Sequence, residues 1–172
     1  MAVEVRLATR ADRDELVCLF YAIDVHYWGA AAPSSAAVAR HIDESVLAFR
    51  SCEIAIAVQD GRAVGLATFA VLFPAPGLGG QLFMKDLFVL AEARGQGVGR
   101  ALMGFLARLA VERGCIRFDW SAETDNPEAL AFYDRLGAKR VAEKVYYRFE
   151  GEAIRQLAAG AGSAAVPGNY DS

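Results

Sequence analysis

The chain has 172 residues, of which 55% are hydrophobic and 23% are charged, and its formal net charge is −3. This length and composition predict one soluble globular domain that removes roughly 70% of its unfolded surface from water. The slight negative charge and the pI of about 5.4 argue against a nucleic-acid partner, because nucleic-acid-binding proteins usually carry a basic face. The longest nearly apolar run, residues 63–73, is too short to span a bilayer, and the N-terminus lacks a signal-peptide core. We therefore expect a cytoplasmic protein with no membrane partner.

The first fifty residues predict one strand and two helices. Residues 3–7 alternate apolar and polar side chains, which is typical of a half-buried strand. A helix follows, from about residue 12 to about residue 25. Its end, residues 24–28, is rich in polar aromatics, which either pack on the core or form a wall of an acceptor pocket. After a small-residue loop, a second helix is predicted over residues 36–49.

The next segment predicts a β-hairpin and a loop. Residues 54–59 and 63–73 are strand-like and flank a tight turn at residues 60–62. Residues 74–80 contain two prolines and three glycines, which is typical of a mobile loop. Because this loop precedes the central strand described below, we expect that it could act as a lid.

The three cysteines, Cys18, Cys52 and Cys115, are widely spaced among apolar neighbours. An odd number at such spacing favours reduced core thiols over disulfides. The two histidines, His26 and His41, add no metal-ligand spacing to this pattern. We therefore expect no metal cofactor.

The centre of the chain combines a buried strand, a glycine-rich turn and a helix. Residues 84–90 are apolar except for Lys85 and Asp86, which is typical of a central strand that retains one polar pair for a purpose. Residues 94–100 read Arg-Gly-Gln-Gly-Val-Gly-Arg, and a helix with apolar residues at helical spacing begins near Val98. Free amides and the positive end of the helix dipole at such a turn bind anions, and the two flanking arginines add positive charge.

Three interpretations of this turn compete. An ordinary strand-to-helix connection uses its glycines only to relieve crowding. A dinucleotide-binding fingerprint requires glycine where this chain has Arg100, and a nucleotide-triphosphate loop requires a Gly-Lys-Ser/Thr sequence that is absent. The remaining pattern is Arg/Gln-x-x-Gly-x-Gly, formed by Arg94, Gly97 and Gly99.

A second motif lies further along the chain. Residues 115–122 predict another strand, and the intervening helix makes it parallel to the central strand. Asn126 then precedes a proline and an acid at a helix start, and Tyr133 follows two helical turns later on the same side. Residues 136–138 read Leu-Gly-Ala.

The last residues predict a strand, a helix and a tail. Residues 141–149 are predicted to form the final, antiparallel strand, and residues 151–158 form a short helix. Residues 159–172 are small and polar, and we expect them to be disordered. The predicted domain therefore covers residues 1–158.

Taken with the glycine turn, the pattern Asn-x-x-Ala-x-x-x-Tyr followed by Leu-Gly-Ala resembles the GCN5-related N-acetyltransferase (GNAT) family, and within it the diamine (spermidine/spermine) acetyltransferase branch. The resemblance implies an α/β fold with a mixed, mostly antiparallel central sheet, a splayed parallel strand pair and helices on both faces. It implies acetyl-CoA as co-substrate, a small-molecule amine as acceptor and a homodimer. Trp28, Trp120 and the C-terminal tail are candidate dimer contacts.

The resemblance also implies which residues form the site. Tyr133 is the catalytic candidate, since a phenol of pKa about 10 can give a proton to a thiolate whose conjugate acid has a pKa near 8.5. Backbone N–H groups near Phe88 and Val89 could stabilise the developing oxyanion. The expected cofactor-binding residues are Leu87, Phe88, Val89, Arg94, Gly95, Gln96, Gly97, Val98, Gly99, Arg100, Asn126 and Tyr133.

The acceptor side is expected to contain His26, Tyr27, Lys85 and Asp86. The diamine branch has an acid where this chain has Lys85, and a lysine there would repel a polyamine. An acceptor that also carries a carboxylate, such as an amino acid, suits Lys85 better. The mechanism implied is direct attack by the amine in a ternary complex.

Two alternatives to the transferase differ in class. One is a non-catalytic acyl-CoA-binding or sensor module, which Lys85 favours and Tyr133 opposes. The other is a dinucleotide oxidoreductase, in which Asp119 would have the spacing of a ribose-binding acid but lies inside a predicted strand.

Overall fold

The computed structural model describes residues 3–49 and 52–160, and its internal contacts divide the chain into two compact units, Met1–Leu136 and Gly137–Ser172. The first unit contains five strands and five α-helices among its described residues. None of the helices in the described ranges is both long enough and apolar enough to cross a membrane. The strands are β1 Glu4–Leu7, β2 Glu53–Gln59, β3 Arg62–Ala75, β4 Gly79–Val89 and β5 Cys115–Trp120. The helices of this unit are α1 Arg13–Trp28, α2 Ser35–His41, the single turn α3 Leu47–Phe49, α4 Val98–Glu112 and α5 Pro127–Arg135.

The five strands form one sheet in the order β1-β2-β3-β4-β5. The first three pairings are antiparallel, and β4 and β5 are parallel because α4 forms the crossover between them. The predicted α/β fold with a mixed, mostly antiparallel sheet is therefore confirmed.

Two apolar clusters cover the two faces of the sheet. One lies beneath α4 and includes the buried residues Phe69, Leu82 and Met84. The other lies beneath α1 and includes Leu16 and Leu66. Neighbouring residues of β3 point to opposite clusters, as the pleat of a strand requires: Leu66 packs beneath α1 and Ala67 beneath α4.

The parallel pair is splayed, as the resemblance implied. Residues 80–84 of β4 pair with β5, and the pairing ends at Met84 and Trp120. Beyond that point β4 continues to Val89 and pairs only with β3. The sheet therefore opens a gap along residues 85–89, and the glycine turn lies just beyond this end of β4.

The predicted mobile loop at residues 74–80 is wrong. Strand β3 continues to Ala75, which pairs with Gly79 at the start of β4, and Pro76–Leu78 form a short 3-10 turn between them. Strand pairing therefore includes Ala75, Gly79 and Gly80 of this segment. It also lies at the end of β4 opposite to Val89, so it cannot act as a lid over the glycine turn.

The predicted strand at residues 141–149 is also wrong for this chain, since these residues lie outside every strand. A strand requires a neighbour with which to exchange hydrogen bonds. In the second unit the described element is α6, Glu152–Gly160, so residues 159 and 160 are helical rather than part of a disordered tail. Residues 161–172 lie outside the described residues. A single domain over residues 1–158 stays a prediction.

The cysteines are free, as expected, but they are not core residues. Cys18 is exposed, and Cys52 and Cys115 are only partly buried. Burial raises the pKa of the Cys52 thiol, with a smaller contribution from the Asp86 carboxylate. The apolar sequence neighbours of a cysteine did not reveal which side of its element faces solvent.

Candidate active site

The gap beside β4 begins at a β-bulge. Met84 pairs with Phe69 and Asp86 pairs with Thr68, so Lys85 is an extra residue with no partner on β3. The bulge reverses the alternation of the strand: Met84 and Leu87 both pack in the cluster beneath α4. Asp86 and Phe88 are therefore turned towards the α1 side of the sheet.

Asp86 is fixed by a polar residue of the neighbouring strand. The Thr68 hydroxyl, which is buried, donates to Asp86 Oδ2 at 2.5 Å, and the Asp86 N–H donates to Thr68 Oγ1 at 3.1 Å. Lys85 Nζ lies 3.1 and 3.2 Å from the two carboxylate oxygens. The Lys85 side chain is 78% exposed and that of Asp86 is 30% exposed, so this ion pair faces solvent. The two predicted acceptor residues are thus in contact with each other.

His26 and Tyr27, at the end of α1, lie on the same side. The His26 ring is 6.0 Å from the Phe88 ring and 5.2 Å from the Tyr27 ring. Both α1 residues are exposed, and so is Trp28. The structure therefore brings the predicted acceptor residues of α1 close to β4.

Tyr133 lies on the other side of the gap. Its ring is 5.1 Å from the Trp120 ring at the end of β5 and 5.1 Å from Phe132. Burial, and then the negative charge that Tyr27 can carry, raise the pKa of Tyr133 to about 12.

The glycine turn uses its glycines in two ways. Gly95 and Gly97 have positive φ angles of 74° and 85°, and a Cβ at either would meet nothing within 4 Å, so they are needed for conformation. Gly99 is needed for packing, because a Cβ there would lie 3.3 Å from Phe132. Gly97 is the N-cap of α4 and offers the first-turn amides no side-chain acceptor. Val98 is buried beneath this turn.

The side chains around the turn are partly committed to the scaffold. Arg94 Nε donates to the Val89 carbonyl at 3.1 Å, and its guanidinium lies 6.0 Å from the Phe88 ring centre. Gln96 donates to the Glu92 carbonyl at 2.8 Å, which closes the turn. Arg100 is exposed in the first turn of α4. This arrangement presents backbone N–H groups and positive charge together, which suits a phosphate.

Asn126 caps α5, as its sequence pattern predicted. Its Oδ1 accepts a hydrogen bond from the Ala129 N–H at 3.0 Å. The side chain therefore orients the helix that carries Tyr133, and it is exposed at the helix end.

Sequence reasoning missed three residues of the site. Thr68 orients Asp86, and the signal was a single hydroxyl in an otherwise apolar strand. The Trp120 ring packs against Tyr133, but no sequence pattern near either residue predicted that contact. Gly65 lets β3, β4 and α4 approach, since a Cβ there would lie 2.8 Å from the Phe88 carbonyl oxygen and 3.3 Å from Val98.

Comparison with known proteins identifies the family. The sequence profile described as the acetyltransferase (GNAT) family matches residues 19–138, a stretch that contains the bulged strand, the glycine turn and Tyr133. The chain belongs to the GNAT family. The resemblance stated from the motifs is thus confirmed.

Relatives within the GNAT family differ in how much of the chain they match. The thialysine N-epsilon-acetyltransferase of Sus scrofa is 36% identical over 83 residues, which are 46% of this chain and 49% of that protein. The chain thus spans about half the length of this curated relative. A D-amino-acid N-acetyltransferase of Saccharomyces cerevisiae is 30% identical over 113 residues, 66% of this chain and 68% of its own.

A solved structure matches over nearly the whole chain. It is an integron cassette protein from the mobile metagenome of V. cholerae, with a TM-score of 0.88 and 40% identity. The match covers 92% of this chain and 98% of that protein. The fold of that protein therefore extends over most of this chain.

Proposed function

We propose that this protein is an N-acetyltransferase that moves an acetyl group from acetyl-CoA to a primary amine of a small molecule. The observation that carries the proposal is the placement of the partly buried Tyr133 across the gap from residues 85–89, beside an uncapped helix start. Membership of the GNAT family supports the same reaction class and the same co-substrate.

The glycine turn is the proposed site for the pyrophosphate of acetyl-CoA. First-turn amides of α4 and the helix dipole would bind the anion, and Arg94 and Arg100 would add positive charge. The Gln96 side chain donates a hydrogen bond to the Glu92 carbonyl, so we propose that it stabilises the turn rather than contacting the ligand. Leu87, Phe88 and Val89 would contact the thioester arm along the gap.

Backbone geometry indicates which amides could stabilise the oxyanion. The Asp86 N–H donates to Thr68 and the Leu90 N–H donates to the Val64 carbonyl, so both point towards β3. Since N–H groups alternate sides along a strand, the amides of Leu87 and Val89 point into the gap. We therefore assign the oxyanion contact to Leu87 and Val89, whereas the sequence interpretation placed it near Phe88 and Val89.

Tyr133 is proposed as the hydrogen-bond donor to the departing thiolate. With its pKa raised to about 12, it is fully protonated at neutral pH. Complete transfer of its proton to a thiolate whose conjugate acid has a pKa of about 8.5 is uphill. The phenol thus stabilises the thiolate by donation, while the new N–C bond forms, the C–S bond breaks and the amine gives its proton to a carboxylate or to water.

The Lys85 and Asp86 pair supports an amino-acid acceptor. Asp86 would bind an ammonium group of the acceptor, and Lys85 would bind the acceptor's carboxylate. These two contacts would replace the ion pair between Lys85 and Asp86. The amino-acid acceptors in the names of the two relatives above support this choice. His26 and Tyr27 would form the wall around the acceptor.

The test is thiol release from acetyl-CoA, measured across a panel of amino acids, polyamines, aminoglycosides and arylamines. Wild type is compared with Tyr133→Phe, and with Tyr21→Phe as a control at a surface tyrosine of α1. We expect transfer to amino acids whose kcat falls more than about tenfold in Tyr133→Phe only. Equal rates in all three proteins would refute the role of Tyr133.

The same experiment separates the alternative, a non-catalytic acyl-CoA-binding module. The exposed Lys85 beside Asp86 favours that alternative, because it occupies the place where a polyamine would bind. Tight binding of acetyl-CoA by calorimetry with no transfer to any amine on the panel would replace the transferase proposal with this one.

We also propose a homodimer in the cytoplasm, on the basis of the family resemblance. Of the predicted dimer contacts, Trp28 is 65% exposed, whereas Trp120 packs on Tyr133 and belongs to the site.

A further inference from the structure

Gln96 lies between the two glycines of the turn that have left-handed backbone. Gly95 and Gly97 have φ angles of 74° and 85°, and a Cβ at either position would meet nothing within 4 Å. Glycine is the least restricted residue of a chain, so neither of them holds the turn in one conformation by its own sterics. Gln96 is the residue of this tripeptide that has a side chain. The conformation of residues 95–97 therefore depends largely on what fixes the Gln96 side chain.

Both polar atoms of the Gln96 side-chain amide are hydrogen-bonded. Gln96 Nε2 donates to the Glu92 carbonyl at 2.8 Å, and Gln96 Oε1 accepts from Gln59 Nε2 at 3.2 Å. The first bond joins the turn to residues that directly precede it. The second joins the turn to β2, 37 residues earlier in the chain. Through Gln59, a separate strand of the sheet thus fixes the side chain at the centre of the turn.

The backbone dictates the direction of these two hydrogen bonds. A carbonyl oxygen only accepts hydrogen bonds, so Gln96 must present its NH₂ group to Glu92. The oxygen of the Gln96 amide then faces Gln59, and it can bond there only to a donor. Gln59 supplies that donor through its own NH₂ group. A side chain of similar length that cannot donate would leave this oxygen without its partner on β2.

Local structure places Gln59 beside the glycine turn. Gln59 ends β2 and pairs with Arg62 across a two-residue hairpin turn, Asp60 and Gly61. The φ angles of these two residues are 50° and 79°, and positive φ at both positions is typical of a type I′ turn, which fixes the register of a hairpin. Val58 packs against the cluster beneath α1. Since neighbouring residues of a strand point to opposite faces, Gln59 points to the α4 side, where the glycine turn lies.

We propose that Gln59 is a positioning residue for the binding of acetyl-CoA. It orients Gln96, and through Gln96 it holds the glycine turn in the conformation that exposes the first-turn amides of α4. A turn that already has its binding conformation loses less conformational entropy when the ligand binds. Gln59 thus acts through Gln96 and not by contact with the ligand. This inference rests on the proposed function, because it takes the glycine turn as the pyrophosphate site.

The first test measures the mobility of the turn without ligand. Gln59→Met keeps the length of the side chain and removes its donor. We expect the NMR order parameters of the Gln96 and Gly97 amides to fall by about 0.1 or more in this variant, and to return to the wild-type values with acetyl-CoA bound. The amide of Ile56, which is buried in the middle of β2, is the control and should not change. Unchanged order parameters at Gln96 and Gly97 would overturn the proposal.

A double-mutant cycle tests whether Gln59 acts through Gln96. Calorimetry gives the Kd for acetyl-CoA of the wild type, Gln59→Met, Gln96→Met and the double variant. We expect Gln59→Met to raise this Kd about threefold, as for loss of one exposed hydrogen bond, and Gln96→Met to raise it about fivefold, because two bonds are lost. The double variant should bind no more weakly than Gln96→Met. Additive effects of the two substitutions would overturn the proposal.

Steady-state kinetics separates positioning from a general loss of structure. In Gln59→Met the KM for acetyl-CoA should rise about threefold, while kcat and the KM for the acceptor stay unchanged, because Gln59 affects the turn and not the reacting groups. A fall of kcat at an unchanged KM for acetyl-CoA would overturn the proposal. If the wild type does not bind acetyl-CoA, the proposed function and the role of Gln59 both fail, whereas wild-type affinity in Gln59→Met overturns only the role of Gln59.

Discussion

The two parts of β4 belong to one strand but have different surroundings. Residues 80–84, the paired half, have neighbouring strands on both sides and contain the buried Leu82 and Met84. In residues 85–89, the open half, Lys85 has no strand partner and residues 86–89 pair only with β3. None of the five residues is fully buried. The bulge at Lys85 is the boundary. One half therefore contributes mainly to folding, while the other is the half that we propose contacts acetyl-CoA and the acceptor.

The largest expected effect is on the free energy of unfolding, which should differ between variants in the paired half and in the open half of β4. Leu82→Ala removes a fully buried side chain and should lower the free energy of unfolding by about 3 kcal/mol. Leu87→Ala, the matched change in the open half, should cost about 1 kcal/mol because Leu87 is only partly buried. Urea denaturation measures both. Equal losses would mean that the two halves share one structural role.

The second prediction concerns the turn that follows the open half. Gly97→Ala forces a residue with a Cβ to adopt a φ of 85°, which costs about 1 kcal/mol. We expect the Kd for acetyl-CoA to rise about fivefold by calorimetry. Gly104→Ala, within α4 and facing open space, is the control and should leave this Kd unchanged.

The third prediction concerns the boundary residue. Lys85→Gln should raise the KM for lysine about fivefold, as expected for loss of one exposed charge contact. The KM for 1,5-diaminopentane, which lacks the carboxylate, should stay the same or fall. Steady-state kinetics with both acceptors measures the ratio. An equal rise of KM for both acceptors would show that Lys85 does not bind the carboxylate.

The smallest expected effect concerns the pH dependence of kcat. Since the pKa of Tyr133 is raised to about 12, its ionisation should not lower kcat below about pH 11. The folded chain retains this proton while the unfolded chain releases it near pH 10, so its contribution to stability is lost as pH rises from about 10 to about 12. Phenolate absorbance of wild type minus Tyr133→Phe should show one group titrating near 12. Titration near pH 10 would contradict the burial of Tyr133.

Local rules in the sequence were sufficient for much of the candidate site. Alternating glycines before an amphipathic pattern predicted the turn at the start of α4, and Asn126 before a proline predicted the cap of α5. Both features depend on residues within one helical turn of each other, so their chemistry is visible without the fold. The roles of these residues towards acetyl-CoA stay predictions.

Other features depended on contacts between distant segments. The sequence of β4 alone could not show on which face of the sheet Asp86 lies. That face is decided by the β-bulge, which is a mismatch in the pairing of β3 with β4. The support of Tyr133 by Trp120 joins the ends of two elements. The same reason explains the error at residues 141–149, where a correct strand pattern found no partner within the described chain.

The sequence by itself determined the family, the order of most elements and the position of the glycine turn, because each follows from short-range periodicity and residue chemistry. Only the tertiary structure decided that β4 has a paired half and an open half, since the pairing of a strand is a property of its neighbours. It also decided which ring lies beside Tyr133. Those outcomes depend on how elements far apart in the chain pack together.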